Sequence, residues 1–99
     1  MFIKVYKYKI RKHDFKSWKK INDAARTLYK KYGSGNSKRL IRKYGEFIYV
    51  VELDSYKSKK DFGRILKQVN KDKKITALYH EFLNIIYQKR IYEEEFKTI

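Results

Sequence analysis

A chain of 99 residues has room for one domain, read here as residues 1–99, and a core this small leaves a thin stability margin that self-association would relieve. Its 42% hydrophobic and 17% aromatic content is enough to fold, no apolar run reaches the roughly 18–20 residues needed to cross a bilayer, and the lack of Cys excludes disulfides and thiolate metal sites. The 26 Lys and Arg against 11 Asp and Glu give a formal charge of +15, and 15 of the basic residues but only 2 of the acidic ones fall within residues 1–44, a field that favours polyanions.

Residues Phe2 to Ile10, β-branched and aromatic, predict a first strand. One face would carry Phe2, Lys4, Tyr6, Tyr8 and Ile10, and the other Ile3, Val5, Lys7 and Lys9. Asp14 then offers an N-cap for a helix with Phe15, Trp18, Ile21, Ala25, Leu28, Tyr29 and Tyr32 at helical spacing. Lys30 and Lys31 suit its negative end, and Gly33 suits the left-handed position beyond it. Gly33 to Ser37 reads as a flexible loop. It lacks the residue order of a phosphate loop and follows a helix where such a loop precedes one.

Residues 38–44 and 46–54 predict a hairpin turning near Gly45, with Phe47, Tyr49, Val51 and Leu53 on one face and Ile48, Val50 and Glu52 on the other. Ser58 and Asp61 form a variant capping box before Phe62, Ile65, Leu66 and Val69. Polar residues from Asn70 to Lys74 interrupt that helix. A second piece carries Ile75, Leu78, Tyr79, Phe82, Ile85 and Ile86, and Ile91 to Ile99 alternate like a last strand.

This order, βαββαβ, is the ferredoxin-like α+β arrangement with an antiparallel sheet ordered 4-1-3-2 and helices on one face. Ile3, Val5, Ile48 and Val50 make an aliphatic set suited to lying under those helices. The largely aromatic set Phe2, Tyr6, Tyr8, Phe47, Tyr49, Val51 and Leu53 would then form an open face too apolar to stay wet. A homodimer closing through the sheet face would cover it.

Several segments carry a likeness: the first strand with the Phe15/Trp18 helix, Gly45-Glu46-Phe47-Ile48-Tyr49-Val50-Val51-Glu52, Tyr56-Lys57-Ser58-Lys59-Lys60-Asp61-Phe62, and Phe82-Leu83-Asn84-Ile85-Ile86 before a terminal strand. In these the chain resembles the dimeric α+β barrel superfamily, in particular its antibiotic-biosynthesis monooxygenase-like and NIPSNAP-like branches. The resemblance implies two sheets closing face to face, each last strand reaching toward the partner's second strand. The candidate interface is Tyr6, Tyr8, Phe47, Tyr49, Val51, Glu93 and Glu95. Glu93, Glu94 and Glu95 would face Lys38, Arg39, Arg42 and Lys43 of the second strand. Haem-degrading members use a Trp, a His and an Asn. Here the family Trp would fall near Ile65 and the only Trp is Trp18, which argues against haem. The composition, without Pro and rich in Lys, Ile and Tyr, is also similar to small proteins of hyperthermophilic archaea and of their filamentous viruses.

No nucleophilic triad and no metal-ligand spacing is visible, so no cofactor and no metal are expected. The leading reading is therefore a non-enzymatic homodimeric interaction or accessory protein. A second is nucleic-acid binding (DNA or RNA) through a basic surface in residues 11–43, with Lys16, Lys19, Lys20, Arg26, Lys30, Lys31, Lys38, Arg39, Arg42 and Lys43 on phosphates. Lys43-Tyr44-Gly45-Glu46-Phe47 does not meet the RNA-recognition signature. A third is a small-ligand-binding or cofactor-independent oxygenase-like barrel with Tyr6, Tyr8, Tyr49 and His80 as pocket groups. The first residues, Met1 to Tyr6, lack the apolar stretch of a secretion signal. A cytoplasmic location is the expectation, the host cytoplasm for a viral protein.

Overall fold

The computed structural model describes all 99 residues. Strand β1 (Phe2–Arg11) runs through a short 3-10 turn into helix α1 (Phe15–Lys31). Strands β2 (Ser37–Tyr44) and β3 (Phe47–Tyr56) form the hairpin, helices α2 (Lys59–Asn70) and α3 (Lys73–Ile85) follow, and β4 (Tyr92–Lys97) ends the fold. The sheet order is β2-β3-β1-β4 and every neighbouring pair is antiparallel. This is the α+β, ferredoxin-like architecture read from the sequence, folded into two layers only 19 Å thick. No helix is long and apolar enough to cross a membrane.

Local chemistry explains most element ends. The Ser58 hydroxyl accepts the Asp61 N–H at 3.1 Å and starts α2. Asp72 starts α3 by accepting the Lys74 N–H at 2.9 Å, while its other oxygen accepts the Tyr32 hydroxyl at 2.7 Å, tying the end of α1 to the start of α3. Asp14 stands at the N-cap of α1 but makes no capping hydrogen bond, contrary to expectation; its carboxylate meets His13 instead. Gly33 closes α1 at φ +105°, a region other residues reach only with strain.

Gly35 extends the hairpin, donating to the Ser55 carbonyl at 3.0 Å. A Cβ at this position would sit 2.7 Å from that carbonyl oxygen. Gly35→Ala is therefore expected to cost about 1–3 kcal/mol in chemical denaturation. A loss below about 0.5 kcal/mol would mean that the backbones do not approach this closely.

The register corrects one expectation. Tyr8 pairs with Val50 and Ile10 with Ile48, so the even-numbered residues of β1 share a face with the even-numbered residues of β3. Phe2, Tyr6 and Tyr8 therefore lie under the helices, and Ile3 and Val5 lie on the open face with Phe47, Tyr49, Val51 and Leu53. The physical reason is what the helices bring. Trp18 Nε1 donates to the Tyr8 hydroxyl at 2.7 Å, Phe82 meets the Tyr8 ring edge-on at 5.0 Å, and Phe62 packs on Phe2 at 5.3 Å.

On the helix side the apolar core is divided in two. One cluster holds Tyr8, Ile10, Trp18, Ile48, Val50 and Ile86, and the other Phe2, Tyr56, Ile65, Val69 and Ile75. Between them the central strands carry Lys4 and Tyr6 opposite Asp54 and Glu52. The middle of the sheet under the helices is polar.

The acidic run of β4 is satisfied within its own chain. Lys4 lies 3.4 Å from Glu93 and 3.8 Å from Glu95, Lys59 lies 3.4 Å from Glu95, and Lys7 pairs with Glu94. These partners lie on β1 and α2 of the same chain.

Candidate functional site

The gap between the two core clusters is a partly open cavity of about 830 Å³ between the helices and the sheet. Its floor is β1 and β3, contributing Tyr6, Tyr8, Glu52, Asp54 and Tyr56, and its walls are apolar residues of α1 and α3 such as Ala25, Leu78 and Phe82. A strand alternation that reads Ile48, Val50, Glu52, Asp54, Tyr56 toward the helices places two carboxyls where a core would ordinarily continue.

Glu52 is held by a directed network. Tyr8 donates its hydroxyl to Glu52 Oε1 at 2.6 Å, Asn22 Nδ2 donates to the same oxygen, and Oε2 accepts no hydrogen bond. Asn22 is oriented by Arg39, whose Nη1 donates to Asn22 Oδ1 at 2.6 Å. Arg39 also pairs with Asp23 at 2.8 Å and lies over the Trp18 ring at 5.6 Å. Asp54 accepts the Ser37 hydroxyl at 2.5 Å on Oδ1, and its Oδ2 accepts nothing.

Burial pushes both carboxyls above the usual carboxylate range. For Glu52 the hydrogen bond from Tyr8 opposes that shift and the nearby charge of Asp54 adds to it; for Asp54 the Ser37 hydroxyl and then Arg26 and Arg39 oppose it. Neither carboxyl forms a salt bridge with any of the chain's 26 basic side chains.

The phenols divide into two kinds. Tyr8 is fully engaged. Tyr6, Tyr29 and Tyr56 line the cavity and make no side-chain hydrogen bond within the chain, although Tyr56 is only 3% exposed. Burial raises the phenol of each, and the nearby charge of Asp54 adds to the shift of all three.

Of the pocket residues named from sequence, Tyr6 and Tyr8 line the cavity. Tyr49 projects from the opposite face of the sheet, and His80 is exposed on α3 outside the cavity. Of the interface residues, Phe47, Tyr49 and Val51 are on the open face, whereas Tyr6 and Tyr8 are beneath the helices and Glu93 and Glu95 point to the helix side. The ten basic residues do not share one surface. Lys38 and Arg42 lie on the open face, and Lys16, Lys19, Lys20, Lys30 and Lys31 are exposed on α1 in the other layer. Lys43 is an exposed residue of β2 in register with Ile48, on the helix side of the sheet. Arg26 donates to the Ser37 carbonyl at 3.1 Å, and Arg39 belongs to the network around Glu52. On the open face Lys9 sits 4.7 Å from the Phe47 ring and 4.6 Å from Tyr87, so cations of the chain already cover the rings that bases would stack on. No group of His, Asp and Glu side chains is arranged to hold a metal ion.

No family model matches the sequence, and no curated protein matches it. Solved structures do. A NIPSNAP domain protein from Burkholderia xenovorans superposes with a TM-score of 0.80 at 13% identity, covering 100% of this chain and 95% of that one. A putative antibiotic biosynthesis monooxygenase from Nitrosomonas europaea gives 0.74 at 9% identity, covering 100% and 99%. SnoaB, a cofactor-independent oxygenase from Streptomyces nogalater, gives 0.74 at 8% identity, covering 99% and 93%. At these identities the likeness is one of fold, and the chain has the fold of the NIPSNAP and antibiotic-biosynthesis monooxygenase-like proteins that its sequence resembles.

Proposed function

We propose that this domain binds a small molecule in the cavity between its helices and its sheet. The observation that carries this reading is the cavity itself, about 830 Å³ across the middle of a 99-residue fold. Ligand sites are concave, mostly apolar and supplied with a few placed polar groups. Here the apolar part comes from α1 and α3 and the polar part from Glu52, Asp54 and the tyrosines. An interior evolved for stability alone would fill that space, because packing defects and buried charges both cost stability.

A thermal-shift screen of small-molecule fragments tests the reading. Binders are expected to raise the Tm of the wild type and to lose the effect in Ala25→Trp, where an indole occupies the cavity. Fragments that stabilise both proteins equally would contradict it. The oxygenase alternative uses the same cavity, and oxygen uptake in the presence of a bound ligand separates it from binding alone.

A second reading concerns assembly. Leu40, Tyr44, Tyr92 and Phe96 are all on the open face of the sheet and each is more than half exposed. Such a patch marks an interaction surface, and a second copy of the chain closing sheet to sheet would cover it. Light scattering is expected to give the mass of two chains for the wild type. Leu40→Lys combined with Phe96→Glu, both at exposed positions that cost the fold little, is expected to give the mass of one. A monomeric wild type would contradict the assembly and leave the cavity untouched.

A further inference from the structure

We propose that the cavity takes an amphipathic amine, its ammonium head between Glu52 and Asp54 within the ring of Tyr6, Tyr29 and Tyr56, and its apolar body against Leu78, Phe82 and Leu83. The proposal rests on the reading of the cavity as a ligand site and names the ligand's chemistry. Its first support is an imbalance. In a chain of charge +15, two half-buried carboxyls have no basic side chain within salt-bridge distance, whereas Glu93, Glu94, Glu95, Asp23 and Asp61 all do. Lys4, opposite Asp54 in the sheet, reaches Glu93 and Glu95 instead, and Arg26 and Arg39 are also turned elsewhere. Arg26 donates to a backbone carbonyl, and Arg39 donates to Asn22 and pairs with Asp23. Carboxylates withdrawn this far from water are ordinarily paired, and their unbonded oxygens are reachable from the cavity, where a cation from outside the chain would meet them.

The second support is hydrogen-bonding capacity. Glu52 Oε2 and Asp54 Oδ2 accept nothing, and an ionised carboxylate can only accept. The hydroxyl of Tyr56, a residue 97% buried by its 3% exposure, makes no hydrogen bond and opens onto the cavity, as do those of Tyr6 and Tyr29. An ammonium group has three N–H donors to give to carboxylate and phenol oxygens. Tyrosine rings also attract a cation through their faces. An anion could accept from the phenols but would lie against two acidic groups, and a neutral hydroxyl would leave the buried charges unpaired. Lys30 and Lys89, which line the cavity but are exposed to solvent, oppose entry of a cation only weakly, because exposed charges are screened by salt whereas contacts inside the cavity are not.

Three matched probes test this: 2-(1-naphthyl)ethylamine, 2-(1-naphthyl)ethanol and 1-naphthylacetate, which share one body and differ in the head. Calorimetric titration of the wild type is expected to give at least tenfold tighter binding for the amine than for the alcohol, and weaker binding still for the acetate. Glu52→Gln and Asp54→Asn are each expected to lower amine affinity at least tenfold while leaving the alcohol within about twofold, with melts confirming the fold. Equal binding of all three probes, or tighter binding of alcohol or acetate, would overturn the amine proposal while the cavity reading stands. An amine preference that persists in the double variant would overturn it too. Failure of every probe to bind at millimolar concentration would overturn the cavity reading and this proposal together.

Discussion

Trp18→Ala is expected to cost about 3–5 kcal/mol, the range for truncating a buried aromatic. Trp18 is 3% exposed, packs on Phe15 at 5.5 Å, carries the Arg39 guanidinium over its ring, and donates to the Tyr8 hydroxyl. A domain of this size has about 5–15 kcal/mol in total, and each kcal/mol moves Tm by about 4–8 °C. The melting temperature should therefore fall by tens of degrees. Trp18→Phe keeps most of the packing and loses only the N–H donor, so about 1–2 kcal/mol is expected. Thermal and denaturant unfolding of the pair separate the two contributions. If Trp18→Ala lost less than about 1 kcal/mol, α1 could not be seated on β1 through this residue.

The double variant Glu52→Gln/Asp54→Asn is expected to be more stable than the wild type at neutral pH, by about 1–3 kcal/mol. Burial holds both carboxyls above their unfolded values, chiefly by making the charged form costly. A carboxyl with a raised folded pKa favours the native state when protonated. Its contribution is complete below the unfolded value near about 4 and is lost as pH rises through the folded value. The charged groups around the pair are Arg26, Lys30 and Asp23 on α1, Lys4 on β1, Arg39 on β2, Lys89 before β4 and Glu93 on β4, together with the phenols of Tyr6, Tyr8, Tyr29 and Tyr56. Asp23 and Asp72 run the opposite way, since hydrogen bonds hold their carboxyls below the ordinary value. The difference between wild type and variant therefore isolates the pair. Glutamine retains an Oε1 for Tyr8 and Asn22, and asparagine retains an oxygen for Ser37, so little is lost in exchange. Unfolding measured from pH 4 to pH 8 should show the gap opening as pH rises. A variant less stable than the wild type at pH 7 would mean that the carboxylates stabilise the fold.

The helices and the order of elements were legible because their signals are local. The stripe from Phe15 through Trp18 to Tyr32, the Ser58 cap and the glycine after α1 depend only on neighbours in sequence, and the structure places each as read. The side of β1 that meets the helices was not legible. Both faces of that strand carry apolar and cationic residues, and the choice is made by its pairing with β3, which sets Tyr8 opposite Val50. Aliphatic likeness between Ile3, Val5, Ile48 and Val50 pointed to the wrong pairing. The candidate site was half visible. Tyr6 and Tyr8 belong to it, but Glu52, Asp54 and Asn22 were passed over, and Arg39 was assigned to an outer basic surface, because a charged or amide side chain in an amphipathic element ordinarily faces water. The available signal was in β3. Two acids continue the Ile48, Val50 alternation toward Tyr56, on the face where the strand should stay apolar. His80 drew notice for its chemistry and its place on the last helix, where the fold leaves it exposed.

Chemical-shift mapping with 2-(1-naphthyl)ethylamine on isotopically labelled protein tests the central claim most directly. The account predicts that the perturbed signals come from Tyr6, Tyr29, Tyr56, Glu52 and Asp54, with nuclear Overhauser contacts from the naphthyl ring to Leu78 and Phe82. Perturbations gathered instead on Leu40, Tyr92 and Phe96, with the tyrosines under the helices unmoved, would contradict it.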